Sequence, residues 1–362
     1  PFVLLREMQA MQLELNSREA DDIMREVAPM AATLCAQHDA KLLLPQGHIC
    51  SLESSLAFAG KVTTADRQSG DKPSYKQAMQ GPERAQWYDA MVSEMHNFEE
   101  FKIFDEVPED TLPTWDPRKQ RAAEVVDMMW TLVKKYNEMR EYLKHKARGT
   151  IRGDQAKAID VKLNITPSET YAPTVRHVTC KIATATAVNR AFANKDKPGA
   201  CPMRYRTSDA TAAFLQGKQP GGVRRYVRPP QGFRKVDRRG IPIVWLLVGN
   251  CYGTENAPRV WFDTVVPYMI KEMNYVQNDV DPCALHKWFA PCAELPLGGR
   301  VDICVYVDDQ WVIDDAGVLC DRDMAKLHEK FKFTLVENPK LFLNMNIDVQ
   351  SPWKVKFSMQ KY

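Results

Sequence analysis

Hydrophobic and polar positions alternate most clearly between Val301 and Ile313. Val301, Ile303, Val305 and Val307 interleave with Asp302, Cys304 and Tyr306, and Trp311-Val312-Ile313 restarts the pattern after Asp308-Asp309. This period of two predicts half-buried strands joined in a hairpin with carboxylates at its tip. Met203, Tyr205, Thr207 and Asp209 share one face of another strand, followed by small residues that leave room for a ligand. Trp130–Tyr136 and Lys144–Asp154 predict a two-stranded, cation-lined ribbon, and Leu341–Val349 alternates again. Helical spacing appears at Leu5, Met8, Met11 and Leu15, ending before Pro29, with a short apolar helix after it. Trp87, Met91, Met95 and Phe98 form a core stripe on a helix with Pro82 in its first turn. Val178, Ile182, Ala185, Val188 and Phe192 give a helix with a small-residue face, and Trp261, Val265 and Met269 one that starts at Pro258 and kinks at Pro267. Ser51–Lys72 is polar and reads as a linker.

Composition narrows the class. The 362 residues are 44% hydrophobic, enough for a substantial core and about two domains on length. No apolar run reaches the ~18 residues of a membrane span, and the first residues lack a signal peptide, so an intracellular chain with no membrane partner is expected. It opens on Pro1, which suggests a piece of a longer polyprotein. Nine cysteines without a CxxC pair argue for reduced core thiols, and no histidine stands in metal-ligand spacing. The net charge of +3 conceals an asymmetry: Trp130–Arg259 holds 25 Lys and Arg against 9 Asp and Glu. So basic a middle section suits a polyanion, because neutralising phosphates supplies most non-specific nucleic-acid affinity.

On the dipeptide alone, Asp308-Asp309 reads equally well as a turn or as a pair of hard oxygen ligands for Mg²⁺ or Mn²⁺. Asp209 alone is a common strand-end residue. Brought together, the three acids suit a two-metal site, in which ions about 4 Å apart clamp the attacking and leaving oxygens of an in-line phosphoryl displacement.

The motifs in order are Pro73–Met79 before the Trp87 helix, Lys146-Ala147-Arg148, Tyr171–Arg176, Asp209–Leu215 and Arg228-Pro229-Pro230-Gln231-Gly232-Phe233. Tyr252-Gly253 with Ala257–Phe262, Asp281-Pro282-Cys283 and Tyr306-Val307-Asp308-Asp309 complete the set. This set resembles the reverse transcriptase of copia-type LTR retrotransposons over roughly Pro73–Tyr362. The resemblance implies an α+β right-hand polymerase fold whose antiparallel palm sheet is packed by helices. Residues 1–71 would be a helical extension and linker, 72–202 fingers and 203–362 palm, with the thumb and ribonuclease H domain absent. It implies RNA-directed DNA synthesis by nucleotidyl transfer onto a primer 3′-hydroxyl, with two Mg²⁺ or Mn²⁺ ions on Asp209, Asp308 and Asp309. The partners would be an RNA or DNA template-primer, dNTPs and the integrase and ribonuclease H of the same polyprotein. The compartments would be the cytoplasm, with its virus-like particles, and the nucleus.

Further roles follow from the resemblance. Phe214 would exclude a ribose 2′-hydroxyl, its bland alternative being core packing, and Tyr252 and Gly253 would line the nucleotide pocket. Lys146, Arg148 and Arg152 would meet phosphates, Arg224, Arg225, Arg228 and Arg259 would face nucleic acid, and Leu343–Ile347 would grip the primer end. Glu255-Asn256 departs from the Lys-Gln usual before Ala-Pro-Arg, and Asn344 replaces a usual glycine. Two rivals remain at this stage: a decayed or co-opted copy that binds nucleic acid without catalysis, and another Asp-triad nuclease or phosphotransferase. The last leaves Phe214 and Ala-Pro-Arg-Val-Trp unexplained.

Overall fold

The computed structural model describes residues 71–136, 141–162, 170–217 and 225–359, all within the unit Val62–Tyr362. The expected helices of the first 50 residues and nearly all of the linker lie outside the described residues. In chain order come α1 (Tyr75–Gln80), α2 (Arg84–Glu100), β1 (Phe104–Pro108), β2 (Trp115–Asp116), β3 (Arg121–Ala122), β4 (Val125–Tyr136), β5 (Tyr142–Ile151) and α3 (Gly153–Lys162). Then follow α4 (His177–Asn194), β6 (Arg204–Ala210), α5 (Ala213–Gln216), β7 (Arg225–Arg228), β8 (Ile243–Leu247), α6 (Ala257–Met273), β9 (Val276–Gln277) and β10 (Ala284–Phe289). The last are β11 (Gly299–Tyr306), β12 (Asp309–Asp314), α7 (Val318–Lys330), β13 (Phe333–Glu337), β14 (Leu341–Phe342), β15 (Met345–Ser351) and β16 (Lys354–Met359). The fold is mixed α and β, with two main cores.

The first core lies under a five-stranded sheet in the order β1-β8-β7-β4-β5, where only the β4–β7 pair is parallel. Helix α2 buries Trp87, Met91, Met95 and Phe98 against it, as the helical spacing predicts, together with Glu94. Pro82 lies in the turn before α2, and Glu83 is the N-cap. Ser74 begins α1 with a capping box, its hydroxyl accepting from Gln77 N while its own N–H donates to Gln77 Oε1. Arg228 belongs to this sheet's packing, donating to both oxygens of the fully buried Glu109 at 2.6 and 2.8 Å. Arg225 is 2% exposed, so burial removes it from the nucleic-acid face expected of it.

The second core surrounds a six-stranded antiparallel sheet, β13-β6-β12-β11-β10-β9. Helix α4 covers one face, where Thr184 Oγ1 meets Trp311 Nε1 at 3.1 Å, and the β14–β16 sheet joins it through Phe342 and Phe357 against Trp311. Helices α6 and α7 cover the other: Trp261 packs on Phe331 and Phe333, and Arg206 reaches Cys320 and Asp321. Covered twice, β11 and β12 are buried on both faces rather than half-buried. Asp302 is tolerated inside because Arg190 and Arg300 pair with it. The helix α6 continues through Pro267 as one element. Among the described residues all cysteines are free, and no helix is long and apolar enough to cross a membrane.

The cores meet at the turn Tyr252–Gly253. Tyr252 O accepts from Ile151 N at 2.8 Å, and Gly253 holds φ +94°, where an added Cβ would stand 2.3 Å from Ile151 O. Gly253→Ala is expected to destabilise the chain by about 2–4 kcal/mol, read as a lower denaturation midpoint with an unchanged m-value, since it combines left-handed strain with a clash against backbone.

Candidate active site

Strand register brings the acids together. In the β6–β12 ladder Asp209 lies directly opposite Asp309, and such pairs have Cα atoms about 4.5–5.5 Å apart with side chains on the same face. Tyr306 and Asp309 close the β11–β12 hairpin, leaving Val307 and Asp308 as its two turn residues. Val307 sits at φ 55°, a region that costs a β-branched residue on the order of 1–3 kcal/mol. Two bonds hold this strained tip: Trp261 Nε1 donates to Val307 O at 2.7 Å, and Ala210 N donates to Asp308 O at 2.8 Å.

The electrostatics follow from crowding. Burial, then the charges of Asp308 and Asp209, push Asp309 up to about 7. Asp209, exposed at the end of its strand, is raised by partial desolvation and by Asp308, and burial raises Asp308. The opposing pull on Asp209 and Asp308 comes from Lys146 and Arg148 on β5. Lys146 is itself lowered, first by burial and then by Arg148, Lys135 and Lys144. The Arg148 guanidinium lies over the Tyr252 ring at 5.5 Å, and that ring faces Phe214 at 5.6 Å. Phe214 is 7% exposed and shares the second core. These side chains make a wall running from the acids to the cations.

Three carboxylates that repel one another are hard oxygen donors a divalent cation would relieve, so the residues fit Mg²⁺ or Mn²⁺. Among the described residues no group of three His, Cys, Asp or Glu is gathered closely enough to hold an ion by itself.

Other expected residues lie elsewhere. Arg152 pairs with Asp154 at 2.6 Å and feels Asp127, not the three acids. Arg259 pairs with Asp263 at 2.7 Å, one turn along α6, and Arg224 lies outside the described residues. Glu255 pairs at 3.7 Å with Lys157 of α3. The sequence reading missed Glu94. It is 6% exposed, accepts weakly from Gly149 N at 3.4 Å and from Asn97 Nδ2 at 3.3 Å, and is raised by burial against the pull of Arg148 and Lys146. An acid inside the Trp87–Phe98 apolar stripe was the available signal.

The reverse transcriptase (RNA-dependent DNA polymerase) family matches residues 114–362. The chain is 26% identical over 254 residues to the retrovirus-related Pol polyprotein from transposon RE2 of Arabidopsis thaliana, covering 69% of this chain and 15% of that protein. Against the corresponding RE1 polyprotein of the same plant it is 27% identical over 253 residues, again 69% of this chain and 15% of the other. It thus spans about 15% of the length of these relatives. A solved telomerase from Candida albicans superposes with a TM-score of 0.38 and 9% identity over 76% of this chain and 50% of that one, too slight a likeness to argue from. With the family match covering more than half of its length, the chain belongs to the reverse transcriptase (RNA-dependent DNA polymerase) family, in the copia-type branch found in retrotransposon Pol polyproteins.

Proposed function

We propose that the chain carries the fingers (residues 72–202) and palm (203–362) of a right-hand polymerase and adds dNTPs to the 3′-hydroxyl of a primer on an RNA template. The observation that carries this reading is the Asp209–Asp309 cross-strand pair beside Asp308, opposed by Lys146 and Arg148. Asp209, Asp308 and Asp309 would hold two Mg²⁺ or Mn²⁺ ions, which when bound stabilise the attacking 3′-oxygen and the leaving pyrophosphate oxygen. Lys146 and Arg148 neutralise the triphosphate, Tyr252 with Gly253 backs the nucleotide, and Phe214 limits the space beside its sugar. The basic stretch Trp130–Arg259 binds the template-primer through its phosphates. The work would take place in the cytoplasm, within virus-like particles, and in the nucleus, alongside the integrase and ribonuclease H of the same polyprotein.

Primer extension on a homopolymer RNA template, with Mg²⁺ and with Mn²⁺, tests the reading. Asp308→Asn is expected to cut extension by about 10³-fold or more while template-primer binding holds or tightens, because a negative charge facing phosphate is removed. Binding should weaken with salt by about 0.7 log units per log of salt for each single-strand phosphate neutralised, or 0.9 on duplex. If the unsubstituted chain, and one extended past Tyr362, bind with that salt dependence yet add no nucleotide with either ion, a decayed or co-opted binding copy replaces the polymerase reading.

Phe214→Ala is expected to raise incorporation of ribonucleotides relative to deoxynucleotides by on the order of tenfold or more, by opening space beside the sugar. An unchanged ratio in a folded, active variant leaves Phe214 a packing residue.

The acids also set a pH dependence in metal-free buffer. Asp309 titrates near 7 in the folded chain and near its ordinary value, about 4, when unfolded. Between those limits the native state holds the extra proton, so this group's contribution to stability is full below about pH 4 and lost as pH rises through about 7. Asp309→Asn should match the wild-type Tm at low pH and exceed it increasingly up to pH 8, and added Mg²⁺ should close the gap from the wild-type side. A constant difference across pH would show that burial and the neighbouring acids do not raise Asp309 as described.

A further inference from the structure

Strand β10 pairs with β11 only as far as Ala284 opposite Cys304. One residue further toward the tip, Val305, which has β12 on its other side, offers its N–H and C=O to an edge that β10 no longer covers. Loop backbones take over: Val305 N donates to Cys283 O at 2.8 Å, and Val175 N donates to Val305 O at 3.1 Å. Val305 stands two residues before the strained Val307 and three before Asp308.

One carboxylate ties both loops together. Asp281 is 5% exposed. Its Oδ2 accepts from Arg176 N at 3.2 Å and from Thr179 Oγ1 at 2.6 Å, and its Oδ1 accepts from Cys283 N at 3.1 Å. Arg176 is the N-cap of α4, and its own side chain makes no capping bond. Asp281 therefore supplies, from far along the chain, the reach-back acceptor that a capping-box acid ordinarily gives, and its charge suits the positive end of an 18-residue helix. Its own loop is fixed in turn by Asn278 Oδ1, which accepts from Val280 N at 2.9 Å and Asp281 N at 3.1 Å.

We propose that Asp281 is a positioning residue for the acid-bearing turn, holding the backbones of Val175 and Cys283 against Val305. The inference rests on the polymerase reading for its effect on rate, but not for its effect on structure. Without the carboxylate, the buried Cys283 N–H and the part-buried Arg176 N–H and Thr179 hydroxyl lose their acceptor, and the β11 edge loses its last two bonds. Asp308 then samples positions away from its partners while the nucleic-acid surface stays intact.

Two measurements on the full chain test this. Amide hydrogen exchange should accelerate at Val305 in Asp281→Ala by about tenfold or more relative to Val312 and Ile313, whose ladder Asp281 does not touch. In primer extension kcat should fall by about 100-fold, the order of loss expected for a misplacement of about 1 Å, with the dNTP KM and template-primer Kd changed by no more than about twofold. Asp281→Asn, which keeps a single acceptor oxygen, should fall between. If Asp281→Ala does not fold, Asp281→Asn and Thr179→Val carry the same two readings. Unchanged exchange at Val305, acceleration spread evenly over the sheet, or a loss confined to KM or Kd overturns the inference. Should the unsubstituted chain add no nucleotide, the functional reading falls and exchange at Val305 alone decides the role of Asp281.

Discussion

Like charges gathered at one end of a sheet repel, and the architecture around β6, β11 and β12 answers that constraint. Register alone sets Asp209 against Asp309, so the backbone ladder does the work of holding carboxylates that would otherwise part. The tip is then bonded by Trp261 of α6 and by Ala210 at the end of β6, and the strand leading into it is bonded at Val305 by the Val175 and Cys283 loops. Lys146 and Arg148 act on Asp209 and Asp308 through space. The repulsion stays in the folded chain as a demand for cations on one side and anions on the other, and under the proposed function a triphosphate with divalent ions would meet both.

The same sheet shows what fully paired acids look like. Asp314 is entirely buried and bonded by Arg204 and Arg206, while Asp302 and Asp315 are held by Arg190, with Arg300 also on Asp302. Both kinds of acid lie on or beside β11 and β12. What separates them is the arginine contact: Asp302, Asp314 and Asp315 each bond at least one, whereas desolvation raises all three tip acids, with Asp308 adding to Asp209 and both adding to Asp309. Removing one partner of a buried pair leaves a stranded charge, a strongly destabilising change, so the network away from the tip reads as scaffold.

Much of this was legible in the sequence. Alternation located β6, β11 and β12, helical spacing located α2 and α4, and the cation-rich ribbon became the β4–β5 hairpin. What the pattern could not carry was covering on both faces. Asp302 and Cys304 looked solvent-facing because period two says only that neighbours point oppositely, not whether a second layer waits there. Arginine roles were equally hidden. Arg225 and Arg228 counted as positive charge in a basic segment, yet one is buried and the other is spent on Glu109, since a sum of charges is blind to local pairing. Glu94 escaped because an acid in an apolar stripe gains meaning only once Gly149 and the β5 cations stand beside it.

The close approach of Gly253 to Ile151 bears on how such a pocket can change over generations. The clearance between the Arg148 strand and the Tyr252 wall is set by one backbone resting on another, a dimension that no exchange of side chains adjusts. Substitution at Phe214 can change the packing beside the Tyr252 ring without moving that backbone. The separation itself can only be kept or broken, because any side chain at position 253 would push one core's backbone off the other instead of adjusting the gap by degrees.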